Sequence, residues 1–95
     1  MLDEKQILKI ASEVAKANLS STFSSTASST AVDSEGHDAL KITIVIKPGA
    51  ADKIKGDAAL DTLVQIQDRL RKAGEERFPI VEYATQKELD EIGSH

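Results

Sequence analysis

One segment, residues 40–47, constrains the fold more than any other. Apolar and polar side chains alternate along it, and a period of two is typical of a β-strand with one apolar face. The apolar set is Leu40, Ile42, Ile44 and Ile46, and the other side carries Lys41, Thr43, Val45 and Lys47. The Pro48-Gly49 pair is expected to end the strand. A sheet that contains this strand has to bury its isoleucine side under another layer.

Two predicted helices can provide that layer. The first begins at Asp3, which forms a capping-box pattern with Gln6, and Asn18 is expected to end it. The second is expected to begin with Asp57 as its N-cap and to end at Gly74. Its apolar stripe is predicted to consist of Ala59, Leu63, Ile66, Leu70 and Ala73, broadened by Leu60 and Val64.

Residues 20–31 consist of three four-residue units, SSTF, SSTA and SSTA. A segment of such low complexity can be a flexible linker. Phe23, Ala27 and Ala31 share one parity, however, which also fits a strand with its hydroxyls outward. Both interpretations stay open, with a strand favoured over the second half. The turn-forming residues 33–38 then predict an antiparallel hairpin with the central strand.

The last part of the chain completes an α-β-β-α-β-α order. Pro79 introduces a short strand over residues 80–84, and Thr85 with Glu88 predicts a capping box that opens a final helix. The expected architecture is an α+β two-layer sandwich, with two main helices on one face of a three-stranded mixed sheet. Residues 1–92 are expected to form a single domain, and residues 93–95, Gly-Ser-His, are typical of a cloning-derived tail.

The composition makes several classes of protein function unlikely. The 95 residues include no cysteine, and with the tail set aside His37 is the one histidine. The sequence also contains no metal-binding motif and no glycine-rich phosphate loop. A net charge of −4 disfavours a broad nucleic-acid surface. No apolar run approaches the length of a membrane span, and the first residues do not resemble a signal peptide. We therefore expect a cytoplasmic protein that is not an enzyme, uses no cofactor and does not contact a membrane.

One candidate site is a metal cluster in the predicted hairpin turn. Three carboxylates and an imidazole fall within six residues, namely Asp33, Glu35, His37 and Asp38. Such donors could hold a divalent cation, although their spacing matches no known metal motif. Aspartate, serine and glycine are also the ordinary residues of a turn, so a purely structural role is the alternative.

A second candidate is the locally basic loop of residues 47–56. Lys47, Lys53 and Lys55 precede a predicted helix N-terminus and could bind phosphate or an RNA backbone, or they could simply be solvated. The order helix, hairpin, helix, strand resembles that of small RNA-binding domains of the KH type, which implies RNA as a ligand. Those domains clamp RNA with a GxxG loop, and this sequence lacks one.

The third candidate is a protein-binding surface. If the isoleucine side of the central strand faces the helices, Lys41, Thr43 and Val45 face a partner or a third helix. The acidic C-terminal segment adds Glu88 and Glu91, and the net negative charge favours a basic partner protein. We expect a protein-interaction or regulatory module, with a KH-like RNA-binding module as the alternative. The sequence leaves a homo-oligomer open.

Overall fold

The protein adopts the element order expected from the sequence. The computed structural model describes residues 2–93, so Ser94 and His95 of the expected tail lie outside the described residues. The strands form one mixed sheet in the order β1-β2-β3, with β1 antiparallel and β3 parallel to β2, which confirms the α+β class. The elements are α1 Glu4–Leu19, β1 Phe23–Val32, β2 Asp38–Ile46, α2 Gly56–Lys72, β3 Phe78–Thr85 and α3 Gln86–Gly93.

The core lies between the sheet and the two long helices. The isoleucine side of β2 is fully buried there, as its alternation predicts. Burying one such side chain contributes about 1.5–3 kcal/mol, so this layer is the main source of stability. Its buried members include Ile7, Ala11, Val14, Ala15 and Leu19 of α1, Leu40, Ile42, Ile44 and Ile46 of β2, and Ile66 and Leu70 of α2.

Helix α1 begins as predicted but ends later. Gln6 N–H donates to Asp3 Oδ1 at 2.8 Å and Asp3 N–H donates to Gln6 Oε1 at 3.2 Å, which is a complete capping box. The prediction that Asn18 ends the helix is wrong. Asn18 lies inside α1, and its side-chain amide donates to Gln65 Oε1 of α2 at 3.0 Å. The C-cap residue of α1 is Ser20, which has φ +49°. The asparagine thus joins the two helices.

Two predictions for α2 are wrong. Its N-cap residue is Lys55, so Asp57 lies in the first turn, where a carboxylate still complements the helix dipole. Leu60 and Val64 are exposed rather than part of the core, and Thr62 is buried instead. The Thr62 hydroxyl donates to the helix's own backbone one turn earlier at 2.7 Å, which is why a polar side chain is tolerated there.

The end of α2 matches its prediction and positions a buried carboxylate. Gly74 adopts φ +101°, a region that disfavours other residues, and Glu75 N–H donates to Leu70 O at 2.9 Å. The chain reversal turns the Glu75 side chain inward. Its carboxylate accepts hydrogen bonds from Leu2 N–H at 3.0 Å and from Arg77 Nε at 2.7 Å. Glu75 therefore ties the start of α1 to the connection between α2 and β3.

The Ser/Thr segment is a strand over nearly its whole length. A β-bulge between Phe23 and Ser25 shifts the parity, so Phe23 packs against the core while Ala27 lies on the opposite face. Thr26 consequently faces the helices, where its hydroxyl lies 2.8 Å from that of Ser12 in α1. The expectation that the hydroxyls point outward is wrong on this side of the strand, because a sequence parity cannot anticipate a bulge.

Candidate functional site

The face of the sheet opposite the two long helices is only partly covered. Its β2 positions Ala39, Thr43 and Val45 are buried, whereas Phe78 and Ile80 of β3 are exposed. We call the exposed and half-buried part the Phe78 patch and define it as Phe78, Ile80, Lys41, Glu82 and Ala31, which lie around the buried Ala39. By strand register the whole face consists of Ser25, Ala27, Ser29, Ala31, Ala39, Lys41, Thr43, Val45, Phe78, Ile80, Glu82 and Ala84.

Two large apolar side chains form the centre of the Phe78 patch. Phe78 is 65% exposed and Ile80 is 38% exposed. Phe78 lies beside Ala39 and Ile80 lies beside Lys41 in the parallel register. Single exposed hydrophobic residues are ordinary on protein surfaces, but alternate residues of one strand share a face and make a continuous ridge. This ridge is therefore a candidate contact surface.

A small polar network borders this ridge. Lys41 Nζ lies 3.2 Å from Glu82 Oε1, and Thr43 Oγ1 donates to the same oxygen at 3.0 Å. Both charged side chains are about 40% exposed, so their attraction is worth under about 1 kcal/mol and can be exchanged for contacts to another molecule. An apolar centre with a polar rim is the common arrangement of protein interfaces.

A groove adjoins the patch where β3 begins. It lies between α2 and residues 75–79 and has a volume of about 520 Å³. Its apolar lining comprises Val64, Leu70, Phe78 and Pro79. Because Phe78 belongs to both features, the groove extends the apolar surface around the edge of β3.

Of the predicted partner contacts in β2, only Lys41 lies in the Phe78 patch. Thr43 and Val45 face away from the helices as expected, but both are buried, and Val45 retains 1% of its exposure. The β3 neighbour of Val45 is Ala84, two residues before α3, so this is the end of the face that the C-terminal helix adjoins. Their burial leaves little surface for another molecule to contact, and the part of Thr43 and Val45 in partner binding stays a prediction.

The two predicted acidic contacts of the C-terminal segment, Glu88 and Glu91, differ in their surroundings. Glu88 accepts hydrogen bonds from Thr85 N–H and from Thr85 Oγ1, each at 3.0 Å, and these bonds lower the pKa of Glu88. The predicted capping box is thus confirmed and gives Glu88 a structural role. Glu91 lies exposed on α3, and its part in partner binding stays a prediction.

The predicted metal ligands lie in the turn between β1 and β2. The Asp33 carboxylate accepts backbone hydrogen bonds from His37 and Glu35, each at 2.9 Å, and the bond from His37 is the main cause of its lowered pKa. Asp38 is already the first residue of β2. Within residues 2–93, no group of three or more ligand-type side chains is arranged to hold a metal ion. This geometry is that of a turn and adds nothing to the metal hypothesis.

The loop lysines lie at the other end of the sheet from Phe78. Lys47, Lys53 and Lys55 are exposed, and none forms an ion pair within the described part of the chain. Lys55 is the N-cap residue of α2, and no side chain caps that helix end. Asp52 lies in the same loop and Asp57 directly follows it, and both reduce the local positive charge.

Comparison with known proteins adds no further constraint. No protein-family model, no curated protein and no solved structure matches this chain. Among the described residues, no helix combines the length and the apolar character needed to cross a bilayer. A functional assignment therefore depends on the surfaces described above.

Proposed function

We propose that this protein is a non-catalytic protein-interaction module that binds a partner protein through the Phe78 patch. The observation that supports this most strongly is the exposure of Phe78 and Ile80 on one sheet face. The alternate residues of the same strand, Val81 and Tyr83, pack against the core. The strand thus has two apolar faces, and only one of them is used by the fold.

The patch indicates what kind of partner fits it. An apolar ridge is stabilised most by an apolar or aromatic side chain of the partner, and removing a central contact of this kind typically costs about 2 kcal/mol or more in binding. The rim pair of Lys41 and Glu82 is overall neutral, so it selects for hydrogen-bonding groups rather than for one sign of charge. The net charge of −4 favours a basic partner at longer range.

Phe78→Ser is expected to weaken partner binding strongly without unfolding the protein. Loss of about 2 kcal/mol corresponds to a binding constant weakened by about 30-fold. Proteins captured by the tagged wild-type chain would be identified, purified and titrated by calorimetry against wild type and Phe78→Ser. Leu60→Ser is the matched control, because Leu60 is 58% exposed but lies on α2. A partner that binds Phe78→Ser as tightly as wild type would contradict the proposal.

A second candidate function, RNA binding through the loop of residues 47–56, rests on its three exposed and unpaired lysines. It predicts that Lys53→Glu combined with Lys55→Glu abolishes a salt-sensitive RNA affinity, since phosphate contacts release counterions. Fluorescence anisotropy with a single-stranded RNA pool at low salt measures this. The control is Lys5→Glu with Lys9→Glu on α1, which makes the same change in net charge. If the wild-type chain binds no RNA at low salt, this candidate fails.

A further inference from the structure

The two free edges of the sheet differ in how they are protected from pairing with another strand. At the β3 edge, Pro79 has no N–H, and its carbonyl oxygen accepts from Gln67 Nε2 at 3.3 Å. At the other end of β3, Thr85 N–H donates to Glu88. Capped ends, a proline and a charged side chain, Glu82, are the usual means by which proteins blunt an exposed edge.

The β1 edge has none of these devices along its regular part. β1 is ten residues long, and it contains neither a charged residue nor a proline. The uncharged stretch extends over residues 17–32, although 29% of the chain is charged. The only irregularity is the bulge between Phe23 and Ser25 at its start. A long edge of this kind is a ready template for another strand.

The strand register shows which backbone groups are unpaired. Asp33 N–H donates to His37 O at 2.9 Å, so Asp33 and the alternate residues before it direct their backbone groups toward β2. The residues between them direct N–H and C=O away from the sheet. In the part of the chain that the structure describes, these outward groups have no hydrogen-bond partner. They belong to Thr26, Ser28, Thr30 and Val32.

We propose that β1 pairs with β1 of a second copy of this chain, antiparallel and around a two-fold axis, to form a six-stranded sheet. With Ser29 on the axis, Thr26 lies opposite Val32 and Ser28 lies opposite Thr30, which makes about eight backbone hydrogen bonds. The pairing also covers part of Val32, which is 66% exposed. Symmetric pairing places a strand's charges near their own copies, so a charge-free strand is the kind that can pair with itself.

One side of helix α1 would face the second copy at this edge of the sheet. The two-fold axis places both helix layers on the same side of the sheet, with α1 beside α1 of the second copy. The flank above β1 carries Leu8 and Ser12, which line a shallow depression with Thr26. Lys16 lies on the far side of Ser12 from the axis, so the two Lys16 side chains do not meet.

This inference does not depend on the proposed function, because it uses a different surface. A two-fold axis perpendicular to the sheet places both Phe78 patches on the same face of the six-stranded sheet. The dimer would then offer a partner two identical contact surfaces with a fixed relative orientation.

Sedimentation equilibrium of the purified full chain, combined with amide hydrogen exchange, tests the proposal. We expect a concentration-dependent dimer that tightens with added salt, because each copy carries a net charge of −4. In the dimer, exchange at Thr26, Ser28, Thr30 and Val32 should slow by about 10-fold or more. Ala27 N–H already faces β2 and should exchange at the same rate in monomer and dimer.

Ser28→Pro is the variant that should abolish the dimer. It removes an outward N–H and costs no hydrogen bond to β2, so the fold should persist. Ser29→Ala, which leaves the backbone edge intact, is the matched control and should dimerise. Should Ser28→Pro fail to fold, Thr30→Lys places a charge on the edge and is expected to give a monomer. A wild-type chain that stays monomeric at about 1 mM would overturn the proposal. So would a dimer in which the four outward amides exchange unchanged.

Discussion

Replacing Glu75 by glutamine is expected to lower the free energy of unfolding at pH 7 by about 3 kcal/mol. The Glu75 side chain is completely buried and accepts hydrogen bonds from Arg77 Nε at 2.7 Å and from Leu2 N–H at 3.0 Å. Chiefly because of the Arg77 guanidinium, the pKa of Glu75 falls from an ordinary 4.5 to about 2. Glutamine cannot balance the charge of Arg77, whose side chain is only 13% exposed.

The same substitution should remove a step from the pH dependence of stability. Because the pKa of Glu75 is lower in the folded than in the unfolded protein, its contribution is complete above pH 4.5 and is lost as the pH falls toward 2. Urea unfolding of both proteins between pH 7 and pH 2 should therefore show a gap of about 3 kcal/mol that narrows to under about 1 kcal/mol.

A neighbouring carboxylate provides the control for Glu75. Glu76 is exposed, and Glu76→Gln should change the free energy of unfolding by under about 0.5 kcal/mol at every pH. The contrary outcome is that the difference in the free energy of unfolding between wild type and Glu75→Gln keeps its full size at pH 2. In that case the charge of Glu75 is not what stabilises the contact between the start of α1 and the connection from α2 to β3.

The second large effect is expected from Ile42. Ile42→Ala should lower the free energy of unfolding by about 3–4 kcal/mol, because Ile42 is fully buried in the core and its truncation leaves a cavity. A domain of this size has a free energy of unfolding of about 5–10 kcal/mol in total. The variant should therefore begin to unfold at denaturant concentrations well below the midpoint of the wild-type transition. Chemical denaturation followed by circular dichroism measures the difference.

Ile80 is the matched control, because the same substitution is made in the adjacent strand on the other face of the sheet. Ile80 is 38% exposed, and Ile80→Ala should cost under about 1 kcal/mol. A small effect would mean that the fold does not require an isoleucine at position 80. Equal losses for the two variants would instead mean that the Phe78 patch is buried in solution.

Much of this fold follows from periodicity and capping patterns that act locally. The alternation of residues 40–47 predicts which side of β2 is buried, and the pair Thr85 and Glu88 predicts the start of α3. What local patterns miss depends on tertiary contacts. Thr62 replaces Val64 in the core because the helix's own backbone satisfies its hydroxyl, and the bulge in β1 reverses the parity of Phe23.

The candidate site was harder to predict, although part of its signal is in the sequence. Phe78, Ile80 and Glu82 are alternate residues and lie on one face of β3, while Val81 and Tyr83 lie on the other. The sequence alone therefore indicates that both faces of β3 carry apolar side chains. The sequence does not indicate which of these faces is covered, because that depends on where α1 and α2 pack. The burial of Val45 shows the same limit, since an outward-facing position can still be covered at one end of a sheet.

Site-specific photo-crosslinking tests the central claim, that the Phe78 patch contacts a partner protein, most directly. A photoreactive phenylalanine analogue would be placed at position 80 and, as a control, at position 60 on α2, and both proteins would be irradiated in cells. We expect an adduct to a protein from position 80 only, insensitive to ribonuclease and lost when Phe78→Ser is added. Adducts of equal yield from both positions, or none from position 80, would contradict the account.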